Sequence, residues 1–156
     1  MEQKQAIACL GNPILGDDAF GLLVAKELEG TAGAKVITME GGGLDMAVQL
    51  IPYSRVLIID ALETASGEVG ELVSLTMEEL SSMKGLEGHA LSLAQAVEAL
   101  RLLSGDSPRT VDVLACRIRP VTTYGETISP AVCAAVAPCA KRARGWISSG
   151  HLSRNP

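Results

Sequence analysis

The chain has 156 residues, of which 47% are apolar, 20% charged and only 3% aromatic, and its net charge is −5. That composition belongs to one compact domain with an aliphatic core, not to a disordered chain. The acidic balance argues against a nucleic-acid partner, because phosphate binding needs a concentrated basic face.

An apolar run over 5–10 predicts the first strand, and an amphipathic pattern over 18–29 the first helix. Between them lies Gly11-Asn12-Pro13-Ile14-Leu15-Gly16-Asp17-Asp18-Ala19-Phe20-Gly21, a tight turn carrying two adjacent carboxylates. A second strand is expected over 35–39. Glu40-Gly41-Gly42-Gly43 breaks it, and a short helix over 44–50 follows, stopped by Pro52. Residues 55–60 place Val56, Leu57, Ile58 and Ile59 in a row, the mark of a strand buried on both faces. A polar connection over 61–70 leads to a strand at 71–75. Thr76-x-x-Glu79 then has the form of a capping box opening a short helix. After a loop over 81–88, Leu93, Val97, Leu100 and Leu103 mark one face of a helix over 89–104. Residues 110–118 read as the last strand, and 120–129 as a loop. A closing helix over 130–147 has Pro130 in its first turn and Pro138 inside, where it is expected to kink or split the element. Lys141, Arg142 and Arg144 lie late in that helix and complement its negative end.

The pattern predicts a single three-layer α/β domain over 1–147, with a frayed, disordered tail over 148–156. Its sheet is five-stranded and mostly parallel, with helices on both faces. The link from Asp60 to Glu71 lacks a helix, so one strand is expected to run antiparallel. Cys9, Cys116, Cys133 and Cys139 form no Cys-x-x-Cys pair and read as residues of a reducing compartment. No signal-peptide pattern or apolar run of about 18 residues occurs, so a cytoplasmic protein without a membrane partner is expected.

Ligands of open α/β sheets bind at the carboxyl ends of the strands. Three residues are candidates for that edge. Asp17 suffices to cap the helix, which leaves Asp18 as a surplus acid. Asp60 follows four aliphatic residues, where a carboxylate is costly unless paired or used. His89 opens the helix after the long loop. Two carboxylates and an imidazole suit a divalent transition metal. Each residue also has a plain structural reading: Asp60 bonding a loop, His89 starting its helix. Weaker candidates are Gly41-Gly42-Gly43 as an anion cradle and Cys116 with His89 as nucleophile and base. Arg117 and Arg119 could hold an acidic group, and His151 in the tail is read as idle.

Gly11-Asn12-Pro13-x-Leu15-x-Asp17-Asp18-x-x-Gly21, Ile59-Asp60-Ala61, the His89 helix and Tyr124-Gly125-x-x-Ile128-Ser129-Pro130-x-Val132 together resemble the hydrogenase maturation endopeptidases. The likeness runs from about residue 6 to 143. It implies a twisted five-stranded sheet between helices, and a metal-binding triad of Asp18, Asp60 and His89. It also implies the activity: removal of a C-terminal extension from the large-subunit precursor of a nickel–iron hydrogenase after nickel insertion. The nickel would be supplied by the precursor and serve as the recognition element, and a monomer is favoured. Three departures stand out: Ala19 where Gly is common, Gly43 where many members carry Thr, and the unlike segment Arg117-Ile118-Arg119-Pro120. The alternatives are a non-catalytic metal-sensing or chaperone module that docks on the large subunit, and a generic metal-dependent peptidase.

Overall fold

In the computed structural model, residues 4–40, 43–82, 98, 101–102, 105, 108, 110–125 and 127–153 are described. The β-branched and aliphatic runs form five strands: β1 (Gln5–Leu10), β2 (Lys35–Met39), β3 (Arg55–Glu63), β4 (Leu72–Thr76) and β5 (Thr110–Ile118). They form one sheet in the order β2-β1-β3-β5-β4, parallel except for the β4–β5 pair. The single antiparallel strand is the one whose connection lacks a helix, because only a short link to the far side of β5 is needed there.

The helices are α1 (Phe20–Glu27), α2 (Leu44–Leu50), α3 (Met77–Ser82) and α4 (Pro130–Ser149). Side chains alternate across each strand, which divides the core into two layers. Ile7, Cys9, Leu57, Ile59, Leu114 and Cys116 pack in the layer shared with α1 and α4. Ala6, Ala8, Leu10, Ile58, Leu62 and Ala115 pack in the layer shared with α2. The three-layer α/β architecture is therefore as expected.

Four boundaries differ from the sequence reading. The first helix begins as a 3-10 turn, Gly16–Ala19, before α1. β3 runs three residues past Asp60, since Ala61 and Leu62 are buried and pair with Cys116 and Arg117 of the equally long β5. α4 continues through Pro138 without splitting, because Val132, Ala135, Cys139, Ala140, Ala143 and Trp146 bury one continuous face. α4 also ends at Ser149, two residues past the expected 147. Beyond it, the Ser153 carbonyl accepts from Arg142 Nη2 at 2.8 Å. No helix among the described residues is long and apolar enough to cross a membrane.

Candidate active site

β1 connects to β2 on one side, while β3 lies on the other. The carboxyl ends of β1 and β3 thus flank the point where the chain reverses its winding direction, the crevice in which open α/β sheets bind ligands. The turn after β1 is pulled down onto that crevice. A Cβ on Gly21 would meet the Leu10 carbonyl oxygen at 2.0 Å and the Ile59 carbonyl oxygen at 2.9 Å. Only glycine lets α1 begin directly on the two strand ends. A Cβ on Gly11 would likewise meet the Asp18 carbonyl at 2.8 Å, and Asn12 N–H donates to that carbonyl at 3.2 Å.

This approach carries Asp18, in the 3-10 turn, into the electrostatic field of Asp60. By alternation Asp60 shares the α2 face with Ile58 and Leu62, so it occupies a core position and is only 5% exposed. It is the one buried charged residue among those described. Burial pushes its carboxyl well above the usual range. Ala61 N–H, donating to Oδ1 at 2.8 Å, pulls the other way, while the charges of Asp18 and Glu63 push it up further. No Lys or Arg among the described residues forms an ion pair with Asp60. A desolvated carboxylate beside a second acid is a costly arrangement that either a proton or a cation relieves.

Asp17 has a different task from the one its position suggests. No side chain caps the 3-10 turn or α1. The Asp17 carboxylate instead accepts from the backbone N–H and the hydroxyl of Ser129, the N-cap residue of α4, at 2.7 and 2.8 Å. Gly125 N–H donates to the Ile14 carbonyl at 2.8 Å and makes a second link between the same two loops. In the sequence Ser129 stands only as part of the Tyr124–Val132 motif, with no role assigned to it. Its Ser-Pro setting marks a helix start, but nothing local names a partner 112 residues away. His89 and most of the predicted 89–104 helix lie outside the described residues; Glu98, Arg101 and Leu102 are helical. Among the described residues no cluster of three metal-ligating side chains occurs; of the three expected site residues, Asp18 and Asp60 are described, and the Asp18 charge acts on the Asp60 carboxyl.

The sequence profile of the HycI hydrogenase maturation protease family matches residues 22–146, most of the chain. The chain belongs to the hydrogenase maturation protease family. Its reaction class is accordingly peptide-bond hydrolysis. The hydrogenase 3 maturation protease of Escherichia coli K12 is 22% identical over 158 residues, covering 95% of this chain and 94% of that protein. The fold is that of the hydrogenase maturating endopeptidase HybD from E. coli, with a TM-score of 0.81 at 20% identity over 95% of this chain and 94% of that one. The HybD maturation protease from Thermococcus kodakarensis aligns with a TM-score of 0.78 at 22% identity over 93% and 99% of the two chains.

The remaining candidates in this maturation protease resolve into structural roles. Burial pushes the Cys116 thiol up to about 12, and the Asp17 charge adds to the effect, so Cys116 is no thiolate nucleophile. Arg117 Nε lies 2.9 Å from Glu71 Oε2, and Arg119 donates to the carbonyls of Thr64 and Gly67 at 3.1 and 2.6 Å. Both arginines hold the β3–β4 connection. Gly43, at φ 105°, begins α2, and its carbonyl accepts from Ala47 N–H; Gly41 and Gly42 lie outside the described residues. His151 is exposed, and with Glu79 and Asp112 it lines a cavity of about 340 Å³ at the opposite, amino end of the parallel strands.

Proposed function

We propose that this protease removes the C-terminal extension of a nickel–iron hydrogenase large-subunit precursor once nickel has been inserted, and that the precursor's nickel is what the site recognises. The observation that carries the reading is the pairing of a buried Asp60 with the charge of Asp18 at the carboxyl-edge crevice. Two such carboxylates favour a divalent cation over a neutral group. In this reading Asp18, Asp60 and His89 hold the nickel, which supplies a positive charge that docks the scissile bond beside them. Asp60, fixed by Ala61 N–H, orients one ligand oxygen, and the low-dielectric wall around it strengthens the attraction. Nickel then belongs to the substrate, and a precursor without it would leave two like charges facing each other. In this reading the reaction runs in the cytoplasm, whose reducing conditions four free cysteines fit, and the protease acts as a monomer.

The test is a mobility-shift assay on precursor, with and without nickel. Loss of a C-terminal peptide is expected only from the nickel-loaded form. It should disappear in Asp18→Ala, Asp60→Asn and His89→Ala proteins that still fold. Normal cleavage by these variants would falsify the site assignment. Binding without cleavage by the wild-type protein would instead make it a docking module, and cleavage of unrelated unfolded proteins a generic peptidase.

A further inference from the structure

The described residues expose five large apolar side chains, and two of them, Ile14 (56%) and Tyr124 (72%), sit on the two loops that are bound to each other beside Asp18. Neither loop is slack. Ile14 N–H donates to Asn12 Oδ1 at 3.1 Å, and the Ile14 carbonyl accepts from Gly125 N–H at 2.8 Å, so both of its backbone groups are satisfied internally. Leu15 N–H donates to the Asn12 carbonyl, and Asp18 N–H to the Leu15 carbonyl. Pro13 fixes φ in the same turn, and the Asp17–Ser129 bonds close the unit from the other end. What Ile14 offers outward is therefore its side chain alone. Residues 11–16 and 120–125 contain no charged side chain, although the chain as a whole carries −5.

An uncharged, preorganised platform with an aliphatic and an aromatic residue held into solvent is costly for a monomer and suited to an apolar partner. Tyrosine is enriched among the residues that dominate binding energy. We infer that Ile14 and Tyr124 form the surface on which the protease seats apolar side chains of its protein substrate, in the extended segment next to the scissile bond. The inference rests on the peptidase reading above and adds which residues grip the chain and what chemistry they grip. Charged segments gain nothing from this surface. The two loops are joined to the turn that carries Asp18, so a segment seated there is held in register with the acids.

The test is steady-state cleavage of the nickel-loaded precursor by Ile14→Ser, Tyr124→Ser and the double variant. Leu102→Ser serves as a control, since Leu102 is 82% exposed and lies on neither loop. Each substitution is expected to raise KM about tenfold, with a smaller change in kcat, and the double variant about a hundredfold. Tyr124→Phe should keep most of the affinity. Leu102→Ser should move neither constant, and all of these proteins should melt within about 2 °C of wild type, because surface changes cost little. A double variant whose KM stays within about twofold of wild type overturns the inference and leaves the peptidase reading intact. A wild-type protein that leaves the loaded precursor uncut overturns that reading, and the inference with it.

Discussion

Asp17 grips Ser129 with both carboxylate oxygens, at 2.7 Å to the backbone N–H and 2.8 Å to the hydroxyl, across 112 residues of sequence. The bonds place a negative charge at the N-terminus of the 20-residue α4, where the helix dipole favours it. They also tie the turn after β1 to the loop before α4. Adjacent acids thus divide their labour: Asp17 holds the turn, and the Asp18 charge acts on Asp60. Asp17→Ala removes two charge-assisted bonds and should cost about 2–3 kcal/mol, or roughly 4–10 °C in Tm. Ser129→Ala keeps the N–H bond and should cost about 1 kcal/mol. Asp18→Asn, in contrast, should abolish cleavage. Thermal melts of the first two variants and a cleavage assay of the third decide it; an Asp17→Ala protein as stable as wild type would show that the link contributes nothing.

Asp60 gives a pH-dependent prediction with a definite sign. Its folded pKa is raised, mainly by burial, above the unfolded value of about 3.9. The folded state therefore binds the proton more tightly, and ionising the group costs stability. That cost is absent below about pH 3.9 and grows as pH rises, until the pH passes the folded pKa. Asp60→Asn keeps an oxygen for Ala61 N–H and removes the buried charge. At pH 7, without substrate, the variant should melt higher than wild type, a gain that vanishes as pH approaches 4. Cleavage should be lost. Melting curves from pH 4 to 8 test this, and a variant less stable than wild type at pH 7 contradicts it.

The features that were legible in the sequence are those whose causes lie close together. Thr76 and Glu79 form the expected capping box within four residues: Glu79 N–H donates to Thr76 Oγ1 at 3.0 Å and Thr76 N–H to Glu79 Oε2 at 2.8 Å. β5 and the start of α4 are also where periodicity and Pro130 put them. The end of β3 was misplaced because an acid after four aliphatic residues resembles a strand end, whereas pairing with β5 carries the strand on to Glu63. Pro138 does not split α4. Losing one helical bond costs about 3 kcal/mol, less than the apolar face that α4 buries on both sides of it. Of the site, the surplus of one acid and the cost of Asp60 were both visible, because each is a local anomaly. Which acid was surplus to the turn depended on Ser129, and only the fold brings that residue to Asp17.

Gly21 is where fold and site depend on the same atom. A Cβ there would lie 2.0 Å from the Leu10 carbonyl oxygen and 2.8 Å from Leu10 N, both backbone atoms that cannot swing aside. Gly21→Ala must lift α1 off the ends of β1 and β3, which draws the preceding turn, and Asp18 with it, away from Asp60. Overpacking of this kind costs about 3 kcal/mol or more. Gly145, in the interior of α4, is the matched control: nothing lies within 4 Å of its Cβ position. Gly145→Ala should stabilise by about 0.5–1 kcal/mol through helix propensity alone. Urea denaturation of both variants, with precursor cleavage measured at a temperature where Gly21→Ala remains folded, separates the two effects. The folded fraction of Gly21→Ala should cut the precursor more slowly than wild type, whereas Gly145→Ala cuts at the normal rate. Equal stability of Gly21→Ala and wild type would mean that α1 does not rest on the strand ends, and the juxtaposition of Asp18 with Asp60 would lose its structural basis.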